Sequence, residues 1–114
     1  MKTTITTAVI FLAVAARSSV VFDVSTEPGG QGIRMSWVTN RWVCHDITEE
    51  GLNKNISWAF VDVGLANGCT LYEEADCKGE HVDIEKNNSN ILGPGAVNLT
   101  DVSFDDKASS WSCY

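Results

Sequence analysis

The sequence predicts an all-β fold, a β-sandwich of two Greek-key motifs stabilised by disulfides. No long stretch has helical periodicity, and short runs rich in β-branched and aromatic residues alternate with turns that carry Gly and Pro. A near-repeat also spans the chain, since the Lys, Ser and Trp of 104–112 recur in register 53 residues earlier, in 51–59. Two copies of about 45 residues are too few for a solenoid, but they suit a two-motif sandwich.

Four strands are predicted in each half of the chain. Residues 33–38 alternate apolar and polar side chains, as a strand with one buried face does. The Pro and Gly residues of 27–32 predict the turn before that strand, and 75–79 forms the corresponding turn in the second half. The predicted strands are 19–24, 33–38, 42–47, 57–63, 69–73, 80–84, 97–99 and 110–114. We expect Trp58 and Trp111 in the core. Trp37 and Trp42 flank a hairpin, where partial exposure could serve binding, but core packing is the favoured interpretation for them as well.

The N-terminal segment is predicted to be a signal peptide. Lys2 precedes the wholly apolar run 8–16, which ends in small residues, and this order is typical of a secretory signal. The run is too short to span a bilayer. We therefore assign 1–16 to a signal peptide and expect a secreted, extracellular protein. Removing those 16 of the 114 residues leaves 98.

All four cysteines, Cys44, Cys69, Cys77 and Cys113, lie beyond this segment. An even number in a short secreted chain predicts disulfide bonds. Their spacing contains no C-x-x-C pair, which disfavours a zinc site. The spacing alone leaves three pairings open.

The chain is acidic, with a formal net charge of −7. A negative surface repels phosphate and anionic lipid, so nucleic acids and membranes are unfavourable partners. Solubility accounts for much of the acidity, but clustered carboxylates also supply the oxygen ligands that hard cations prefer. Asn55, Asn87 and Asn98 each begin an N-x-S/T triplet and are predicted glycosylation sites of a eukaryotic glycoprotein.

The second half resembles the βγ-crystallin family. The pattern Tyr72-x-x-x-x-Cys77-x-Gly79 is similar to the hairpin signature of that family's Greek key, and 105–110 (Asp-Asp-Lys-Ala-Ser-Ser) is similar to its calcium motif. In the first half, 52–57 reads as a damaged copy. The resemblance implies one domain over 17–114, with Greek keys over about 19–66 and 67–114. It extends to small, disulfide-bonded secreted members: fungal proteins, killer-toxin-like proteins and a bacterial metalloprotease inhibitor.

The resemblance also implies calcium sites shared between the two motifs. One site would combine the Lys107 carbonyl, the Ser109 hydroxyl and the Asn53 side chain, with Asp105 opening the motif. The other would combine the Lys54 carbonyl, Asp106 and residue 56, but Ile56 has no side-chain oxygen. We therefore expect at most one calcium ion, bound weakly through a set made of Asn53, Asp105, Asp106, Lys107 and Ser109. The alternative is that 105–110 forms only an Asx or ST turn.

The family arrangement further implies a disulfide pairing. In that arrangement the third strand of one motif joins the sheet of the other, beside its fourth strand. Cys44 lies on the third predicted strand and Cys113 on the eighth. The resemblance therefore implies a Cys44–Cys113 bond and leaves Cys69–Cys77 within one hairpin.

The sequence disfavours an enzyme. His45 and His81 are its two histidines, and no nucleophile, P-loop or metalloprotease motif occurs. Three functions remain open. The first, which we favour, is a monomeric secreted interaction protein, a fungal effector or killer-toxin-like protein that acts on a host or competitor cell. The second is a protease inhibitor that uses 86–95 as its loop. The third is a calcium-stabilised extracellular structural protein.

Overall fold

A computed structural model describes residues 20–64, 66–86 and 96–114, and the predicted signal peptide lies outside these residues. The described chain forms eight strands and two short 3-10 turns, so the predicted all-β class is confirmed. The strands are β1 (Val20–Glu27), β2 (Gln31–Thr39), β3 (His45–Asp46), β4 (Trp58–Gly64), β5 (Gly68–Glu74), β6 (Lys78–Glu85), β7 (Ala96–Asn98) and β8 (Ser110–Cys113). The third strand is shorter than predicted because Trp42 turns the chain with a φ of 62°.

The strands form two antiparallel sheets of four strands each. Their orders are β2-β1-β4-β7 and β3-β8-β5-β6. Each sheet takes three strands from one half of the chain and one from the other, because β7 pairs with β4 and β3 pairs with β8. The strand exchange implied by the family arrangement is therefore present. It interlocks the two halves, so neither sheet can form without both.

The hydrophobic core lies between the two sheets. Phe22, Leu71 and Trp111 are almost fully buried there, and each apolar side chain removed from water stabilises the fold by roughly 1.5–3 kcal/mol. Trp58 is also buried, as predicted, but it packs against the first hairpin at Gly30 and under Arg34 rather than between the sheets. Among the described residues, no helix has the length and apolar character needed to cross a membrane.

All four cysteines form disulfides, but the predicted pairing is wrong. The bonds are Cys69–Cys113 and Cys44–Cys77. Cys69 of β5 lies directly opposite Cys113 of β8, with the Cα atoms 3.9 Å apart. Both side chains are buried, so this bond joins two adjacent strands from inside the core.

The error lies in the register of β3 on β8. His45 is opposite Trp111, which places Cys44 beside Ser112 rather than beside Cys113. Neighbouring residues of a strand point to opposite faces, so Cys44 cannot follow Cys113 into the core. Cys44 is exposed and instead meets Cys77, whose Cα lies 6.0 Å from its own.

Candidate functional site

The two halves carry equivalent folded hairpins. Glu27 pairs with Gln31 and Glu74 with Lys78, each after the same shift in strand register. Gly32 and Gly79 close these hairpins with φ of 72° and 82°. The φ of 82° at Gly79 lies in the left-handed region that favours glycine, and a Cβ there would also lie 2.6 Å from a carboxylate oxygen of the Glu74 side chain. The predicted second-half hairpin is present, and an offset of 47 residues relates it to the first.

This hairpin equivalence fixes which loop residues correspond. Ser25 of the first hairpin strand pairs with Trp58, and its equivalent Tyr72 pairs with Ser110. Trp58 and Ser110 are therefore counterparts, 52 residues apart. The repeat of Lys, Ser and Trp that is visible in the sequence has an offset of 53, so it is out of register with the fold by one residue.

Backbone contacts in the two loops agree with the 52-residue offset. Lys54 N donates to Ala108 O at 2.9 Å, and Asp106 N donates to Ile56 O at 3.0 Å, as a symmetric pair. The donors Lys54 and Asp106 both have left-handed backbone angles, with φ of 60° and 58°. These bonds hold the two loops side by side.

The offset corrects the assignment of the first-half motif. The motif runs over 53–58, not 52–57, so its fifth position holds Ser57, which has a hydroxyl, and not Ile56. Ile56 is fully buried and acts as a core residue. The second position, which the resemblance assigns to the partner motif's calcium site, holds Lys54, and Asn53 is the counterpart of Asp105.

At one of the two positions where the resemblance implies calcium, a side chain of the protein contacts the carbonyl oxygens. The Lys54 ammonium donates to the carbonyl of Glu73, in the second hairpin, and to the carbonyl of Lys107, at 3.0 Å. Lys107 O is one of the ligands predicted for calcium. Calcium needs such oxygens directly, at about 2.3–2.6 Å. With an ammonium bound to two of these oxygens, the site does not fit calcium.

The remaining residues predicted for this position serve the backbone framework. Ser109 N donates to Tyr72 O at 2.8 Å, and Ser109 O accepts from Ile47 N at 2.9 Å. Asn53 is exposed. Asp105 is half-buried, and within the described residues its Oδ1 is buried without a hydrogen-bond partner.

The symmetric position has a different donor set. Ser57 Oγ donates to Asp106 Oδ1 at 3.5 Å. By the 52-residue offset, the Asn55 carbonyl is the counterpart of the Lys107 carbonyl. One carboxylate, one hydroxyl and backbone carbonyls are hard oxygen ligands, which fit calcium. Sequence reasoning missed Asn55 and Ser57 as oxygen ligands, because the 52-residue offset follows from the pairing of Ser25 with Trp58 and of Tyr72 with Ser110 and is not visible in the sequence.

The described residues contain no cluster of three or more His, Cys, Asp or Glu side chains able to hold a metal. A cation at the Asp106 position would thus have fewer than three such side chains as ligands, and Asp106 is the carboxylate of the donor set described above. Sites with few carboxylates bind calcium weakly.

A second surface feature is the turn 40–44, which presents an exposed tryptophan. The favoured interpretation of core packing is wrong for Trp42, whose side chain is 72% exposed, and the Arg41 guanidinium lies over its ring, 4.5 Å from the centroid. The Trp42 backbone is fixed by an N–H bond to Cys113 O of 2.7 Å, and the turn ends at the Cys44–Cys77 disulfide. The backbone of the turn is therefore anchored at two points, and it presents the apolar Trp42 side chain to solvent.

Both histidines make aromatic contacts. The His45 ring stacks on Trp111 at 4.6 Å, and its Nε2 lies 2.6 Å from Thr39 Oγ1. The His81 ring lies 5.7 Å from that of Tyr72. Near the last strand, burial together with the negative charges of Asp83 and Glu85 raises the pKa of Tyr114.

The predicted glycosylation sites differ in accessibility. Asn55 is exposed, and its side-chain amide donates to Gly51 O at 3.0 Å. Asn98 is half-buried, and its Oδ1 accepts a bond of 2.9 Å from Gly29 N. Asn87 lies outside the described residues.

Two solved structures are similar to this chain. One, from work on the evolution of the eye-lens βγ-crystallin domain fold, has a TM-score of 0.60 and 21% identity, over 82% of this chain and 84% of its own. The other, a βγ-crystallin from an archaeon, has a TM-score of 0.58 and 20% identity, over 83% and 98%. No protein-family model and no curated protein matches the sequence. The chain thus has the βγ-crystallin fold.

Proposed function

We propose that this chain is a secreted, monomeric, non-enzymatic interaction protein that recognises a protein or surface component of a host or competitor cell. The proposal includes a fungal origin and an effector or killer-toxin-like action. The observation that carries it is Trp42, a large apolar side chain held 72% exposed on a rigid turn. Fold alone does not define function, so the argument rests on this surface.

Trp42 has the properties of a binding hot spot. Tryptophan and arginine are enriched among residues that dominate binding energy, and here Arg41 lies over the Trp42 ring. Rigid display lowers the entropy lost on binding, because the turn does not have to be ordered by the partner. Val43, the next residue along the chain, and Val38 of β2 are also exposed apolar side chains.

Two disulfides favour an oxidising, extracellular environment, which supports secretion. Four cysteines with no free thiol among the described residues also leave no reactive sulfur for chemistry. A small sandwich whose histidines pack on aromatic rings suits binding better than catalysis.

Cell binding tests the proposal. Labelled protein is incubated with yeast and plant cells, and bound protein and cell viability are measured. Trp42→Ala should reduce binding at least tenfold. Val102→Ala, which also removes an exposed apolar side chain but on a different loop, is the matched control and should bind like the parent. Equal binding by Trp42→Ala and the parent would contradict the proposal.

The protease-inhibitor alternative gains one supporting observation. An inhibitor needs a rigid exposed loop, and the turn 40–44 is joined to Cys77 by the Cys44–Cys77 disulfide. The predicted inhibitor loop 86–95 contains no cysteine, and beyond its first residue it lies outside the described residues. However, strand addition, a common mode of peptide recognition, needs an extended segment, whereas Trp42 has a left-handed backbone with φ of 62°. Incubation with a panel of proteases separates the two functions. Inhibition that Trp42→Ala abolishes would favour the inhibitor.

The calcium-stabilised structural protein is supported by the oxygen set of Asp106, Ser57 and Asn55. Calcium bound there would cross-link the two loops and stabilise the folded state in proportion to its concentration. This proposal moves the single expected ion from the Lys107 position to the Asp106 position. It is compatible with an interaction protein, because the loops and the turn 40–44 are separate elements.

A further inference from the structure

Two symmetric loop positions of this fold are occupied by opposite charges. Lys54 and Asp106 are counterparts in the two halves, with the same left-handed backbone and the same reciprocal hydrogen bonds. Each side chain extends toward the other half of the molecule. Asp106 meets the Ser57 hydroxyl, whereas Lys54 meets the carbonyls of Glu73 and Lys107. The backbones of the two loops are thus equivalent, but the charges of the side chains at the equivalent positions are opposite.

We propose that the Lys54 ammonium is a built-in cation that permanently replaces a metal ion at the Glu73–Lys107 position. Two carbonyl oxygens from two separate segments converge on one nitrogen. A lysine ammonium has three donors and no acceptor, so it satisfies such oxygens as a point charge. It joins the loop around residue 54, the second hairpin and the loop around residue 107.

The ammonium also excludes calcium from this position. Both ions need the same carbonyl lone pairs, and two positive charges a few ångströms apart repel each other. Because Lys54 is covalently part of the chain, it cannot be diluted away or removed by a chelator. The contacts of Lys54 therefore hold the two loops together without any metal, whereas the Asp106 position stays open to a metal ion.

The test is carried out in full-length protein carrying Asp106→Ala, which removes the carboxylate of the other position. The probe is calcium alone, in thermal unfolding and calorimetric titration. The Asp106→Ala protein with Lys54 unchanged should show no calcium-dependent rise in Tm. Lys54→Asp exchanges the cation for an oxygen ligand, so it should lose stability in chelator and regain it in millimolar calcium.

Two further variants keep the test decisive. Lys54→Met removes the charge without adding oxygen, so Tm should fall by about 5 °C and calcium should not restore it. Lys54→Asn supplies an oxygen without a negative charge and replaces Lys54→Asp if that variant does not fold. The control for charge reversal is Lys78→Asp. Lys78 is an exposed lysine of the second hairpin, which also contains Glu73, and its replacement should produce no calcium response.

Three results would overturn the proposal. Calcium binding by the Asp106→Ala chain with Lys54 intact would show that the ammonium does not exclude the metal. An unchanged Tm in Lys54→Met would show that it is not a structural cation. Failure of both Lys54→Asp and Lys54→Asn to gain calcium binding would show that the carbonyls do not form a cation position.

Discussion

Trp37 of β2 and Trp111 of β8 stack face to face, with ring centroids 4.8 Å apart and planes 10° apart. The two strands belong to different sheets, so the pair joins the layers of the sandwich directly. Phe22 contacts both rings, and the indole N–H of Trp37 donates to Glu49 at 2.8 Å. The sandwich is therefore closed on this side by a cluster of aromatic rings and not by aliphatic packing alone.

Removing Trp111 should cost about 3–5 kcal/mol of unfolding free energy, because it leaves a large cavity in the core. Trp37→Ala should cost less, since Trp37 is half-exposed. A double-mutant cycle measured by urea unfolding should give a coupling of about 1 kcal/mol between the rings. Trp42→Ala, at an exposed site, should change stability by less than about 0.5 kcal/mol. Additive effects at Trp37 and Trp111 would contradict a direct stacking contribution.

The two disulfides should differ in their susceptibility to reduction. Cys44 is exposed and Cys77 half-buried, whereas Cys69 and Cys113 are buried. Thiol–disulfide exchange needs access to sulfur, so a mild reductant should open Cys44–Cys77 first. Alkylation followed by peptide mass mapping checks the order, and equal rates for the two bonds would contradict it.

Removing each bond gives a second measurement of the same difference. The sequence separations of 33 and 44 residues are similar, so loop entropy predicts about 4 kcal/mol for either. The Cys69→Ala/Cys113→Ala variant should nevertheless be less stable than Cys44→Ala/Cys77→Ala, because it also removes buried sulfur from the core. Urea unfolding of both variants makes the comparison, and the reverse order of stability would show that burial is not the deciding factor.

The strands and the two-motif sandwich could be predicted because they depend on turn residues, alternation and the repeated order of parts, whereas the strand exchange was implied only by the family resemblance. What failed was register. The shared Lys, Ser and Trp suggested that Trp58 and Trp111 were counterparts, yet Trp58 corresponds to Ser110. Since side chains alternate, one residue of slip exchanges the two faces of a strand.

Burial could not have revealed this slip, because both tryptophans are buried, Trp111 between the sheets and Trp58 under the first hairpin. The same one-residue error placed Ile56 instead of Ser57 at the fifth position of the first-half motif. It also concealed that Lys54 is the counterpart of Asp106. In the same way, the unpredicted register of β3 on β8 made the predicted disulfide pairing wrong. Positions that depend on pairing between distant strands are not encoded in local pattern.

Calcium titration of the unmodified chain should find at most one weak site, at the Asp106 position. Asp106→Ala and Ser57→Ala should each weaken it, because they remove the carboxylate and the hydroxyl of the donor set. Ser109→Ala, at the symmetric position where Lys54 binds the carbonyls, is the matched control and should leave binding unchanged. Calorimetry makes the comparison, and loss of binding in Ser109→Ala alone would place the ion at the other position.

Tyr114 should make the stability of the protein depend on alkaline pH. The Tyr114 backbone N–H donates to Gly68 O at 2.9 Å, which fixes the residue beside β5. Burial, followed by the charges of Asp83 and Glu85, raises the pKa of the Tyr114 phenol. Below about pH 10 the phenol is protonated in both the folded and the unfolded chain, so its contribution is constant. Above that pH the unfolded chain loses the proton first, and the free energy of unfolding falls until the raised pKa of the folded state is reached.

Urea unfolding should therefore show a steeper alkaline decline in the parent than in Tyr114→Phe, and Glu85→Gln should shift the onset of tyrosinate absorbance to lower pH. Parallel pH profiles for the parent and Tyr114→Phe would show that the phenol is not the titrating group.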